Sequence, residues 1–275
     1  MLIKKLNCIK NLENVKISSP LIHCITNPIS INDCANGVLA VGARPIMAEH
    51  PDEVSQITKT AKALALNLGN ITDARMVSML ISAETAVEIG IPFVIDTVGV
   101  ACSSLRLKYA RNIIKKSRPT VIKGNITEIK MFSGSNYSQN GVDSLKSDSL
   151  DLSENSYLVL ETAKKLGCIV LASGEIDIIS DGTKVVHVYN GTKQLSNITG
   201  TGCLLNVLVA SFLSVSPDIY GAITASVVMG ICGEMSVTTK GSGTFKVNLM
   251  DALSKLTEEQ FLKYFNAKEV NINGL

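Results

Sequence analysis

Short, uninterrupted apolar runs recur along the chain, each followed by a longer stretch of helical periodicity. Leu21–Ile25, Ala63–Leu68, Pro92–Asp96, Thr120–Ile122 and Cys168–Ala172 are the runs, and each ends at small or polar residues. The intervening stretches read as helices with ordinary start and stop signals. Ser30–Leu39 opens on a serine, Thr72–Ile89 has Thr72 then Asp73 at its start and Gly90 at its end, and Ser103–Lys116 turns basic toward its end. A further short extended piece covers Ile46–Ala48, and Pro51–Val54 opens a helix. Further helices are predicted at Ile126–Phe132, Tyr157–Leu166 and Ile219–Thr239, with a hairpin at Asp177–Tyr189, a glycine-rich turn at Gly241–Gly243 and two short helices at the C-terminus. The stretch Ser133–Asn155 is dominated by serine, asparagine, aspartate and glycine and loses periodicity, so it is expected to be a mobile surface loop.

Strands without alternation, separated by helices, predict an α/β fold: a three-layer α/β/α arrangement around a mostly parallel sheet covered on both faces. With neither an internal repeat nor a convincing linker, residues 1–275 read as a single domain. Ligands in such sheets bind beyond the carboxyl ends of the strands. Asp96, Lys123, Ser173 and Cys203 each follow a predicted strand, or a loop that follows one.

Composition narrows the function. Lys and Arg number 26 against 24 Asp and Glu, Trp is absent and aromatics are 4%, which leaves neither a basic field nor a stacking surface for nucleic acid. The apolar stretches Val207–Val215 and Ala222–Cys232 are too short to span a bilayer and are separated by Pro217 and Asp218, so no membrane partner is expected. Met1–Lys10 lacks the pattern of a secretory signal. Seven scattered cysteines without a C-x-x-C pair, and three histidines off zinc spacing, point to a reducing cytoplasm.

The most informative stretch is Asn197-Ile198-Thr199-Gly200-Thr201-Gly202-Cys203, leading into Leu204–Ser214. A glycine-rich loop opening into a helix turns successive N–H groups toward one point, a concavity that suits an oxyanion or phosphate. Cys203, at or near the first turn, lies where the helix dipole favours an anionic sulfur and is a candidate base. The same residues also fit a plain capping turn with Cys203 as core filler.

The chain resembles the hydroxyethylthiazole kinase family, with its ribokinase-like fold, along nearly its whole length. The likeness rests on His23-Cys24-Ile25-Thr26-Asn27-Pro28, Asn32-Asp33-Cys34-Ala35-Asn36, Gly42-Ala43-Arg44-Pro45-Ile46-Met47, Leu66-Asn67-Leu68-Gly69, Val121-Ile122-Lys123-Gly124-Asn125 with Glu128, Gly174-Glu175-Ile176-Asp177, Gly200-Thr201-Gly202-Cys203 and Gly241-Ser242-Gly243-Thr244-Phe245. The resemblance implies ATP-dependent phosphorylation of the primary hydroxyl of 4-methyl-5-(2-hydroxyethyl)thiazole in thiamine salvage, with Mg²⁺, in a homotrimer. It implies Cys203 at the substrate hydroxyl; Lys123, Asn125, Ser173, Thr199 and Gly202 on ATP; Asn27, Met47 and Gly200 in the thiazole pocket; and Asp96 and Glu128 at the metal. Three departures stand out. Thr97 replaces the proline of the family's Asp-Pro-Val-Gly, Lys123 replaces an arginine and Ser173 a threonine. They leave two other readings open: a related kinase for another small heterocyclic alcohol, and a thiazole-binding homologue without turnover.

Overall fold

A computed structural model of the chain describes residues 5–133 and 152–271. In chain order the elements are α1 (Lys5–Ser18), β1 (Leu21–Ile25), α2 (Ile31–Ala40), β2 (Arg44–Ile46), α3 (Val54–Thr60), β3 (Ala63–Asn67), α4 (Asp73–Ile89), β4 (Phe93–Asp96), α5 (Ser104–Ser117), β5 (Val121–Asn125), α6 (Ile126–Ser133), α7 (Leu152–Leu166), β6 (Ile169–Ser173), β7 (Asp177–Ser180), β8 (Val185–Val188), α8 (Thr201–Leu213), α9 (Ile219–Met235), α10 (Ser242–Lys255), α11 (Glu258–Tyr264) and β9 (Ala267–Val270). The strands form one sheet in the order β2-β1-β3-β4-β5-β6-β7-β8-β9. From β2 to β6 all pairings are parallel; β7, β8 and β9 pair antiparallel.

The two faces of the sheet carry separate cores. Ile22, Cys24, Ala65 and Val94 pack under α1, α2, α8, α9 and α10, whereas Ile25, Leu66, Phe93 and Ile122 pack under α3 to α7. Alternate residues of the parallel strands therefore serve opposite cores, which is why the runs show no polar alternation: β3 is buried at every position. The apolar stretches around residues 207–232 are α8 and α9, buried nearly all round. Among the described residues no helix is long and apolar enough to cross a membrane.

Several boundaries differ from expectation. α7 begins at Leu152, and Ser133 closes α6, so both ends of the polar stretch 133–155 are helical; its middle, 134–151, lies outside the described residues. α9 stops at Met235 instead of continuing to Thr239. Gly241, at φ 110°, opens α10. The N-terminal helix α1 and the edge strand β9, a short polar run, had no clear periodic signal.

Sheet order reverses between β1 and β3, since the chain runs outward from β1 to β2 and then back to β3. The carboxyl ends of β1 and β3 thus border the crevice where this class of sheet places ligands.

Candidate active site

The loop before α8 forms an amide cradle. The short 3₁₀ helix Lys193–Asn197 leads to Gly200, which caps α8 at φ 95°, a left-handed conformation that favours glycine; a Cβ there would also lie 3.0 Å from Ser30 Cβ. The N–H groups of Thr201, Gly202 and Cys203 belong to the first helical turn and have no partner within the helix. Leu204 N–H closes that turn onto Gly200 O at 2.8 Å. The Thr201 hydroxyl points back to Leu195 O (3.0 Å) and Ile198 O (3.3 Å), tying the cradle to the preceding loop.

Beneath the cradle a chain of side-chain hydrogen bonds crosses the strand ends. Asn27 Nδ2 donates to Cys203 Sγ at 2.9 Å and approaches Asn67 Oδ1 at 3.4 Å. Asn27 Oδ1 accepts from both the N–H and the hydroxyl of Ser30, each at 3.1 Å, which fixes the amide's orientation. Asn67 Oδ1 accepts from Gly69 N–H at 2.7 Å, and Asn67 Nδ2 donates to Asp96 Oδ2 at 3.3 Å. Lys123 Nζ donates to that same oxygen at 2.8 Å, in an ion pair that is almost wholly buried. Asn67, Asp96 and Lys123 are direct cross-strand partners, so sheet register alone sets their contact. Burial by itself would lower the Lys123 pKa; the charge and hydrogen bond of Asp96, with Cys203 and Glu128 nearby, hold it above the ordinary lysine value. A Cβ on Gly202 would lie 3.6 Å from Lys123 Nζ, which puts the ammonium close under the cradle.

The Asn125-x-x-Glu128 motif is a reciprocal helix cap at the start of α6. Glu128 N–H donates to Asn125 Oδ1 at 2.9 Å, and Asn125 N–H donates to Glu128 Oε2 at 2.8 Å. Glu128 Oε1 accepts from Gly99 N–H at 2.7 Å. Burial raises the Glu128 pKa, the two N–H bonds pull it back, and Asp96 adds repulsion. Asp96 and Glu128 are thus two buried acids beside one buried cation. Lys123 and Asn67 both bind Asp96 Oδ2, so Oδ1 takes neither bond, and each Glu128 oxygen keeps a lone pair. This all-oxygen, net-negative pair fits a hard cation that also draws ligands from a bound phosphate. Among the described residues no three His, Cys, Asp or Glu side chains form a cage sufficient on their own.

Thr97, where the family has proline, donates its N–H (2.8 Å) and its hydroxyl (3.0 Å) to Lys123 O. A proline could make neither bond. The departure therefore fastens β4 to β5 at the strand end that carries Lys123.

An open cleft of about 1020 Å³ lies beside the cradle, bounded by the ends of β6 and β7, the segment 190–197, the start of α8 and one side of α9. Ser173 and Gly202 line it; its hydroxyl donating to Gly124 O at 3.3 Å, Ser173 sits at the mouth of β6. Lys123, Asn125 and Thr199 do not line it: Lys123 is sealed in its ion pair, Asn125 caps α6 and Thr199 is exposed on the loop. Met47 is half-buried, on the rim of the same core that Cys203 touches. Of the predicted residues the structure joins Asn27, Asp96, Lys123, Gly200, Gly202 and Cys203 in one constellation, with Glu128 and Asn125 next to it.

Four residues were given no site role by the sequence reading. Asn67 sits inside an apolar run and reads as strand, although it is the polar residue closing β3. Arg75, buried in the first turn of α4, donates to Thr26 O, to Asn70 O at 2.8 Å and to Gly69 O at 3.4 Å, and pairs with Glu49; it ties together the loops after β1 and β3. Asp177 and the buried Ser226 hydroxyl face the cleft from β7 and α9.

A parallel-centred α/β sheet with an amide cradle and a polar strand-end chain is the architecture of the ribokinase-like kinases. Staphylococcus aureus pyridoxal kinase, solved with AMP-PCP and pyridoxal, superimposes with a TM-score of 0.62 at 10% identity, over 91% of this chain and 98% of its own, and so matches in fold. Within that class the chain belongs to the hydroxyethylthiazole kinase family, whose model matches residues 12–259. Hydroxyethylthiazole kinase 2 of Clostridium botulinum is 50% identical over 91% of this chain and 96% of the relative. The hydroxyethylthiazole kinase of Ruminiclostridium cellulolyticum is 41% identical over 91% and 93%. The solved hydroxyethylthiazole kinase of Pyrococcus horikoshii, 31% identical, covers 97% of this chain and 100% of its own with a TM-score of 0.88.

Proposed function

We propose that this chain transfers the γ-phosphoryl group of ATP to the primary hydroxyl of 4-methyl-5-(2-hydroxyethyl)thiazole, releasing ADP and the thiazole phosphate for thiamine salvage. The observation that carries the reading is the contact of Asn27 with Cys203 at the mouth of an amide cradle, in a chain that matches the hydroxyethylthiazole kinase family from residue 12 to 259. The single sheet running through both cores supports treating residues 1–275 as one kinase domain.

Placement at the strand ends and family likeness support the following roles. The N–H groups of Thr201, Gly202 and Cys203 face the phosphoryl group in transfer, and Lys123 below them offsets its charge. Cys203 Sγ, oriented by Asn27, takes the alcohol proton while the new O–P bond forms and the bond to the β-phosphate oxygen breaks. A loose transition state asks for little early deprotonation, so a modest base suffices. Mg²⁺, when bound, neutralises charge on the β and γ oxygens; Asp96 and Glu128 are the residues that would hold it. Ser173 contacts the nucleotide in the cleft; Asn125 and Thr199, assigned to ATP by family likeness, stand outside its lining. Met47, Gly200 and Asn27 line the thiazole pocket. We place the enzyme in the cytoplasm as a homotrimer.

An ATP-coupled assay with the thiazole alcohol, run beside pyrimidine, pyridoxal and sugar alcohols, tests this reading. The thiazole alcohol should give the highest kcat/KM. Preference for another alcohol would replace the substrate, and nucleotide binding without turnover of any alcohol would replace the activity.

A further inference from the structure

Part of the cleft wall is the segment 190–197, which runs from β8 to the cradle. Leu195, partly buried, is its apolar contact with the core. Polar bonds to the end of α9 hold the rest. Glu234 Oε1 accepts from Gly191 N–H at 2.8 Å and from Asn190 Nδ2 at 3.1 Å. Asn190 also donates to Tyr264 O (2.8 Å) and accepts from Asn266 N–H (2.9 Å), so the same anchor gathers in the chain between α11 and β9. Further along, Gln194 and Thr238 exchange two bonds, Nε2 to O at 2.8 Å and N–H to Oε1 at 3.1 Å. Thr201 then joins the segment to the cradle through Leu195 O.

The helix surface under this segment is cut to receive it. Gly230 lies one turn before Glu234, and a Cβ there would come within 2.5 Å of Asn190 Cβ and of its carbonyl oxygen. A Cβ on Gly233 would meet Leu195 Cδ1 at 2.8 Å. Two glycines in a buried helix lower its intrinsic stability relative to alanine, so their presence here marks a close backbone approach.

We propose that Glu234 is a positioning residue for the nucleotide: through Asn190 and Gly191 it sets the wall against which ATP packs, without touching ATP or the alcohol. This rests on reading the cleft as the nucleotide site. Glu234 is the carboxylate at which two donors of the wall converge on one oxygen, and hydrogen bonds to charged groups are among the stronger local anchors. Its loss releases the segment while the strand-end chain from Asn27 to Lys123, on other elements, stays in place.

The test reads nucleotide and alcohol separately. Titration with a fluorescent methylanthraniloyl-ATP, in the absence of the alcohol, gives the nucleotide Kd, and steady-state kinetics give KM for each substrate. Glu234→Ala should weaken nucleotide binding about tenfold and raise KM for ATP to match, leaving KM for the alcohol within about twofold. Glu234→Gln, whose amide oxygen can accept both bonds, should stay within about threefold of wild type. Gly230→Ala, favourable by helix propensity alone, should instead weaken the nucleotide about tenfold because it displaces Asn190. A Glu234→Ala protein that binds nucleotide within about twofold of wild type overturns the proposal, as does an equal rise in both KM values. Should Glu234→Ala not fold, Gly230→Ala and Glu234→Gln decide: weakening by the first and not the second supports the proposal, and any other pair of results overturns it. Wild-type enzyme that binds the probe yet phosphorylates no alcohol would defeat the kinase reading and leave this test intact; wild-type enzyme that binds no nucleotide would defeat both.

Discussion

The two sides of the site are built differently. At the ends of β1, β3, β4 and β5 the work falls to side chains, Asn27, Asn67, Asp96 and Lys123, all buried and joined by hydrogen bonds, with the parallel register setting the spacing from Asn67 to Lys123. Beyond β6 the sheet turns antiparallel and the cleft is lined by small polar residues, by Leu195, Leu205 and Met229, and by a loop fastened to α9. On one side Asn67, Asp96 and Lys123 are fixed as successive cross-strand neighbours, and Asn27 is fixed by its two bonds from Ser30. The other is open and is held by a few polar anchors. Substitution on the first side should therefore cost stability or chemistry, and substitution on the second should cost nucleotide binding.

The largest effect expected from this contrast is on Lys123. Lys123→Met strands Asp96 as an unpaired buried charge, and urea unfolding should show a loss of about 3–5 kcal/mol, the range for breaking a buried pair from one end. Adding Asp96→Asn should restore most of that loss. Ser173→Ala on the cleft side removes one partly buried hydrogen bond and should cost about 1 kcal/mol. Equal losses at the two positions would erase the distinction between the sides.

Next is chemistry. Cys203→Ala should lower kcat about 10²-fold or more with KM for ATP little changed, while Cys203→Asp should keep activity, since a carboxylate also takes a proton. An alanine variant as fast as wild type removes the sulfur from the mechanism.

The same contrast can be read from thiol reactivity. Burial pushes Cys34, Cys168 and Cys232 up to about 12 and Cys8 to about 11, and raises Cys24 further. Cys102 is exposed and Cys203 half-exposed. Iodoacetamide should therefore label Cys102 and Cys203 in the native protein, and ATP with the alcohol should protect Cys203 alone. Rapid labelling of Cys34, which touches Ser30 and Thr26 next to the cradle, would mean that the strand-end side opens.

What the sequence discloses follows the same division. The parallel half is legible because burial on both faces forces unbroken apolar runs, and residues just past such runs must stand at the carboxyl edge. That logic reached Asp96, Lys123, Ser173 and Cys203 from position alone. Asn67 was hidden because a single asparagine in an apolar run does not interrupt it, and its role depends on register with Asp96. Asn27 and Met47 came from family likeness, not from periodicity. Asn125 and Glu128 have a spacing that fits a helix cap and a metal site equally well, and the structure shows the cap. Glu234 could not be found this way: its partners lie 43 and 44 residues earlier in the chain, and its helix reads as uniformly apolar. The start of α7 was missed because local polarity outweighed a helix whose buried stripe begins only at Ser156.

The smallest predicted effect contrasts two acids that neighbour Lys123 from different sides. Asp96 is paired directly with it, so Asp96→Asn should destabilise the fold at neutral pH. Asp177, facing the cleft, has no such partner. Burial pushes its pKa up to about 6, and the Gly174 N–H, Ser226 and the more distant Lys123 offset only part of that cost. Its folded pKa thus lies above the ordinary value of 3.8. The protonated form favours the fold, and its contribution is complete below the unfolded pKa and disappears as pH rises through about 6. Asp177→Asn imitates that protonated form and keeps an oxygen for Gly174 N–H, which donates at 3.0 Å. Without nucleotide, the variant should melt with wild type near pH 4 and a few degrees above it at pH 7.5, the gap opening between about 4 and 6. A difference independent of pH would show that folding does not raise the Asp177 pKa, and a variant less stable than wild type at pH 7.5 would show that Asp177 is held ionised, giving the cleft the charge-paired character of the strand-end side.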